Sequence, residues 1–220
     1  LNVTTKEELI AAIRSSVKDV NGATNSAKNI LNRETYLLLW TAFEQYIKQM
    51  AASLFELYPN MVFSNKKYSK EEMSYGEIFE QSNQFTDITE LGQYILNSII
   101  GNSDKSNKDS ISKTIQFIRD CFLDKSVDPY NTWYVFKGDK EDINYSTIDD
   151  IRNIRNALVH DRGRVTDELN GNQLIKTLED DYLIVDDELL NKEKIILESV
   201  AFQIYQSVKK GTDKRAKNGK

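Results

Sequence analysis

A chain of 220 residues with 40% hydrophobic content suits one domain with a real core, and its net charge of −5 argues against a broad electropositive platform for nucleic acid. No apolar run approaches the roughly 18 residues of a membrane span, and the N-terminal residues lack a basic start followed by an apolar block. Neither a span nor a signal peptide is therefore expected, and a lone cysteine, Cys121, excludes an internal disulfide and a cysteine-clustered zinc site. Cys121 lies in the run IRDCFLD and reads as a buried, inert thiol in a reducing cytoplasm.

Two prolines, Pro59 and Pro129, and nine glycines leave room for long helices. Thr5 and Glu8 form a capping-box start, and Ile10, Ile13, Val17 and Val20 then make one stripe that Asn21-Gly22 is expected to stop. A second helix is expected over 33–58. Its seam is Tyr36, Trp40, Phe43, Ile47, Met50 and Leu54, widened by Leu39, Ala42 and Tyr46, and Pro59 ends it. Further helix starts fall at Ser69 with Glu72 and at Asp87 with Glu90, the latter followed by Leu91, Ile95 and Ile99. Ile111, Ile115, Ile118 and Phe122 mark another helix.

The stretch 126–144 has no clean period. It reads as a long connection whose aromatic residues Tyr130, Trp133, Tyr134 and Phe136 either pack over the core or line a site. A helix capped by Ser146 follows and runs to about residue 163. The residues 181–189 suit a small hairpin or an edge strand. A closing helix over 192–210 carries Leu197, Val200, Ala201, Ile204 and Val208, with Gly211 as its stop. The expected architecture is all-α: an antiparallel helix bundle with inserted helices and loops, and a short β-hairpin near 181–189. Residues 1–210 read as one helical domain. Residues 211–220 read as a basic, disordered tail, with weak phosphate contact as the alternative.

The helix IRNIRNALVH, residues 151–160, carries the only histidine. At about 100° per residue, Ile148, Ile151, Ile154 and Leu158 share the core face, and Arg155 falls about 40° from Ile151, inside the same arc. A guanidinium there calls for an anionic partner, because burying it unpaired is costly. That partner is an acidic side chain, a subunit interface or a bound phosphate. His160 points about 180° from Ile151 and shares a face with Asn156 at the i, i+4 spacing, where the two can hydrogen-bond. Since Arg155 and His160 diverge on one helix, a working pair requires a second copy at a two-fold interface. Arg162 and Arg164 follow. They either contact RNA phosphates or form a solvated turn with Asp161 and Asp167.

The hexapeptide Arg155-Asn156-Ala157-Leu158-Val159-His160 resembles the R-x4–6-H motif of the HEPN superfamily, in which a polar residue, often Asn, follows the arginine. The stretch LLLWTAFEQYIKQM resembles the early HEPN helix that places an acid near the site, with Glu44 the matching residue. The resemblance implies a dimeric helical bundle and metal-independent endoribonuclease activity. By it, Arg155 binds and stabilises the scissile phosphate, His160 is the general acid/base, Asn156 orients the pair and Glu44 supports them. It also implies RNA as substrate, a homodimer with a composite site at the two-fold interface, and a toxin or phage-defence role with an antitoxin or defence partner protein. No cofactor is expected. No metal ligands are expected either, and the acids Asp180, Asp181, Asp186, Asp187 and Glu188 read as a solvated loop. Two other readings stay open: a non-catalytic HEPN-like module for dimerisation, nucleotide or partner binding, and an unrelated helical adaptor with Arg155 salt-bridged in the core.

Overall fold

The computed structural model describes residues 6–68, 94, 110–124, 127–165, 169, 171–172, 174–175, 178–179 and 182–218. Side chains are described at Arg14 and over 27–213 within those stretches, apart from Ser110, Leu178 and Glu179. The described elements are α1 (Lys6–Leu57), α2 (Pro59–Phe63), α3 (Ser110–Phe122), β1 (Thr132–Phe136), β2 (Asp139–Ile143), α4 (Tyr145–His160), β3 (Leu178–Glu179), β4 (Tyr182–Leu183) and α5 (Asp187–Asn218). The protein is mostly helical, as expected, with small antiparallel strand pairs. The capping residue Thr5, the expected helices after Ser69 and Asp87, and Asp167, Asp180 and Asp181 lie outside the described residues.

The chain forms two compact units. One comprises Leu1–Trp40 with Thr147–Lys194, the other Thr41–Ser146 with Ile195–Lys220. Helix α1 is continuous over 52 residues, so Asn21-Gly22 does not end a first helix. One interior glycine costs about 1 kcal/mol relative to alanine, which a long helix absorbs, and no proline interrupts the chain before Pro59. Pro59 does end α1, and it opens α2 at the position where a missing N–H is harmless.

In the first unit the core comprises Tyr36 and Trp40 from α1, Ile148, Ile151, Ile154, Ala157 and Leu158 from α4, and Leu183, Val185 and Leu189. The expected core face of α4 is therefore the buried one. The strand pair β3–β4 is two residues long on each side, joining Leu178 to Leu183 and Glu179 to Tyr182. It overlaps the expected 181–189 with its second strand and begins N-terminal to it, because residues from Asp187 onward are helical. Asp186 caps α5: its carboxylate accepts the Leu189 N–H at 2.8 Å. The closing helix thus starts earlier than expected, and this acid is a cap instead of part of a solvated loop.

In the second unit, Phe43, Ile47, Ala51 and Leu54 of α1 are buried, with Ala51 in the place expected of Met50. Ala42 and Tyr46 are exposed, so the apolar arc of α1 is narrower than its composition implies. Ile111, Ile115, Ile118, Cys121 and Phe122 of α3 are buried, as are Leu197, Val200, Ile204 and Val208 of α5. Gly211 does not stop α5, which runs on to Asn218. A Cβ at Gly211 would sit 2.5 Å from the Phe122 carbonyl oxygen, so this glycine serves a close approach of two backbones.

The connection 126–144 holds an unexpected hairpin. Strands β1 and β2 pair antiparallel with Thr132 opposite Ile143 and Phe136 opposite Asp139. Lys137 (φ 52) and Gly138 (φ 95) make the two-residue turn, the left-handed pair that matches strand twist. Tyr134 and Ile143 point inward, while Trp133 and Val135 are exposed.

Candidate functional site

Helix α4 begins at Tyr145, two residues before the Thr147 start that a Ser146 cap would give. The Ser146 hydroxyl donates instead to the Asn144 carboxamide oxygen at 2.7 Å. The buried stripe of α4 sets the direction of everything else on it. Arg155 is half-buried at the edge of that stripe, Asn156 is half-buried, and Val159 and His160 are exposed.

Arg155 donates through Nη1 to the Asn156 Oδ1 at 3.1 Å. Among the described residues no carboxylate pairs with it, so of the three anionic partners open to it an acidic side chain of the same chain is not found there. Half-exposure explains this: the guanidinium reaches past the core to water, as long cationic side chains do. Asn156 therefore serves Arg155, and the expected hydrogen bond to His160 is not formed. The imidazole makes no hydrogen bond to a described residue. Among the described residues Arg155 forms no core salt bridge of the kind the adaptor reading requires.

The chain leaves α4 through a tight reversal. The Ala157 carbonyl accepts the amides of Asp161 at 3.0 Å and Gly163 at 2.8 Å. Arg162 (φ 54) and Gly163 (φ 84) both take left-handed conformations. For Gly163 this is inexpensive, whereas for Arg162 it is strained. Next, the Leu183 amide donates to the Gly163 carbonyl at 2.8 Å, and Arg164 forms a bridge with Tyr182. Arg162 and Arg164 are both exposed, and neither is paired with Asp161. This corner thus carries His160, Arg162 and Arg164, all exposed, within five consecutive residues. Glu44 belongs to the other unit, where it pairs with Lys48 at 3.0 Å.

Four polar residues of α1 escape a search for catalytic motifs, yet they grip this region by its backbone. Asn29 Oδ1 accepts the Val185 amide at 3.2 Å, and Asn32 donates to the Val185 carbonyl at 3.0 Å. The Arg33 guanidinium donates to the Arg162 carbonyl. The Tyr36 hydroxyl donates to the Ile151 carbonyl at 3.3 Å. In an α-helix that same carbonyl accepts the amide of Arg155. Positions 29, 32, 33 and 36 span about 100° of helix surface, which is the one signal in the sequence that could have revealed them. Asp187 joins this set. It pairs with Lys28 at 2.6 Å and accepts from Asn32 at 3.1 Å, and these bonds hold its carboxyl below the usual range.

Glu193, on α5, is fully buried, and neither carboxyl oxygen has a hydrogen-bond partner among the described residues. Burial pushes its carboxyl up to about 9, so it is a neutral acid at pH 7. Tyr36 is pushed well above the ordinary phenol value, first by burial and then by the charges of Glu193 and Asp150. Among the described residues no three His, Cys, Asp or Glu side chains cluster as metal ligands, and no helix is long and apolar enough to cross a membrane.

A family model described as RiboL-PSP-HEPN matches residues 2–189. No curated protein and no solved structure matches the chain.

Proposed function

Because the chain belongs to the RiboL-PSP-HEPN family, we propose that it is a metal-independent endoribonuclease using Arg155 and His160. The observation that carries this reading is the pairing, on one helix, of a half-buried arginine without a described carboxylate partner and an exposed histidine at the helix end. RNA supplies its own nucleophile. The 2′-oxygen attacks the adjacent phosphorus, the O2′–P bond forms and the P–O5′ bond breaks. A base takes the 2′-hydroxyl proton and an acid returns one to the leaving 5′-oxygen. Arg155 stabilises the charge that builds on the phosphoryl oxygens, and its bond to Asn156 fixes the guanidinium plane. His160 transfers protons.

Arg155 and His160 are five positions apart, or about 140° around the helix, so one copy does not aim both at one phosphate. A homodimer with α4 at its two-fold axis supplies the complement, and the second copy's His160 allows one imidazole to act as base and the other as acid. Arg162 and Arg164 bind flanking phosphates. The role is that of a cytoplasmic toxin or phage-defence effector, restrained or triggered by an antitoxin or defence partner. A second reading, a non-catalytic dimerisation or binding module, is favoured by one observation: nothing among the described residues orients the His160 ring.

Incubation of mixed RNA with the protein in EDTA, beside Arg155→Ala and His160→Ala, separates the two readings. The nuclease reading expects cleavage by the wild type, its loss in both variants, and folded dimers throughout on size-exclusion chromatography. An inert wild-type dimer would leave the module reading standing.

A further inference from the structure

We infer that Arg33 is a positioning residue for His160: from α1 it clamps the turn that ends the motif helix, an assignment that rests on the ribonuclease reading of that helix. The clamp joins residues 129 positions apart. The Arg33 guanidinium donates through Nη2 to the Arg162 carbonyl, two residues beyond His160. It also lies against Gly163, where a Cβ would stand 2.7 Å from the same nitrogen. Gly163 therefore does two things: it accepts a left-handed φ, and it leaves the space that the guanidinium fills.

What the clamp holds is a turn under strain. Arg162 has a Cβ and sits at φ 54, a conformation that persists only where its surroundings impose it. The turn is fixed on one side by the Ala157 carbonyl and on another by the Leu183 amide. Arg33 supplies a charge-assisted bond from a third direction. His160 is the last residue of the helix that this turn closes, so the turn holds the stretch of backbone that carries the exposed imidazole. Arg33 is half-buried with one donor committed to a backbone carbonyl, whereas Arg162 and Arg164 are exposed. That contrast makes Arg33 a support and leaves phosphate contact to the other two.

His160 is the only histidine, so its imidazole NMR signals assign themselves. The full-length protein is compared with Arg33→Ala, with Arg33→Met, which keeps the aliphatic stem and removes every donor, and with Arg33→Lys. Arg14→Ala removes the same charge at an exposed position and serves as control. The expected result for Arg33→Ala and Arg33→Met is that the imidazole signals shift and broaden. With them kcat falls roughly tenfold to a hundredfold while KM stays within about twofold, the scale of a reacting group moved by about 1 Å. Arg33→Lys recovers most of both effects, and Arg14→Ala changes neither. If Arg33→Ala fails to fold, Arg33→Met decides. Imidazole signals unchanged in the donor-free variant would overturn the proposal. So would a rise in KM at constant kcat, which would make Arg33 a phosphate contact. Should the wild type cut no RNA, the ribonuclease reading fails by itself, and the imidazole signals alone still decide whether the clamp exists.

Discussion

Glu193 is held far from its ordinary state. A carboxyl at about 9 in the fold, against 4.5 when free, keeps a proton that the unfolded chain releases. Its contribution to stability is therefore fully present below about pH 4.5 and is lost as pH rises toward about 9. Thermal melts should show the wild type losing stability across that interval. Glu193→Gln, which keeps the shape and removes the titration, should flatten the curve, and a wild-type melting temperature that rises toward pH 9 would contradict this account. Gly163 gives a second prediction at this scale. Gly163→Ala meets both a left-handed backbone and the Arg33 guanidinium, so urea denaturation should show a loss of about 1–3 kcal/mol, the usual range for strain of this kind. Arg155 shows why half of the site was legible and half was not. Its place near the apolar arc could be read from spacing, but its partner, Asn156, is its immediate neighbour, which a search for a distant acid overlooks.

Among the elements, the helices whose apolar residues recur at three and four were readable. Tyr36, Trp40, Phe43 and Ile47 are buried as their spacing predicts, and so is the stripe of α4. Glycine misled twice. Gly22 lies inside α1, and Gly211 lies inside α5, where its role is proximity to the Phe122 carbonyl. Alanine normally stabilises a helix by about 1 kcal/mol relative to glycine. At Gly211 the sign should reverse, because the added methyl meets backbone at 2.5 Å, and chemical denaturation of Gly211→Ala is the check. The β1–β2 hairpin was missed for a physical reason. Its run TWYVF is apolar on both faces, since Trp133 and Val135 are exposed while Tyr134 is buried, so the period-2 alternation that betrays a strand is absent. The surviving signal was Lys137-Gly138, a turn dipeptide less familiar than Asn-Gly. The grip of α1 on α4 was invisible for a different reason: bonds to backbone carbonyls, such as Arg33 to Arg162, leave no complementary residue type to find.

For the whole molecule, the proposed cutting of RNA by an acidic chain calls for a local basic surface, and the proposal assigns it to the corner with Arg162 and Arg164. Removing either arginine should weaken RNA binding by similar factors across sequences and lower the slope of log affinity against log salt by about 0.7, as loss of one single-strand phosphate contact does. Filter binding at several salt concentrations measures this, and an unchanged slope would return both residues to a solvated turn. The family match ends at residue 189, the third residue of α5. Arg33, Tyr36 and the whole of α4 lie within it, and Glu193 lies beyond it.

The central claim is that His160 moves the protons while the 2′-hydroxyl of RNA makes the cut. Mass spectrometry of the ends left by the wild type and by His160→Ala in EDTA tests it most directly. The expected result is fragments ending in 2′,3′-cyclic phosphate from the wild type and intact RNA from the variant. Fragments bearing 3′-hydroxyl and 5′-phosphate ends, or undiminished cleavage by His160→Ala, would contradict it.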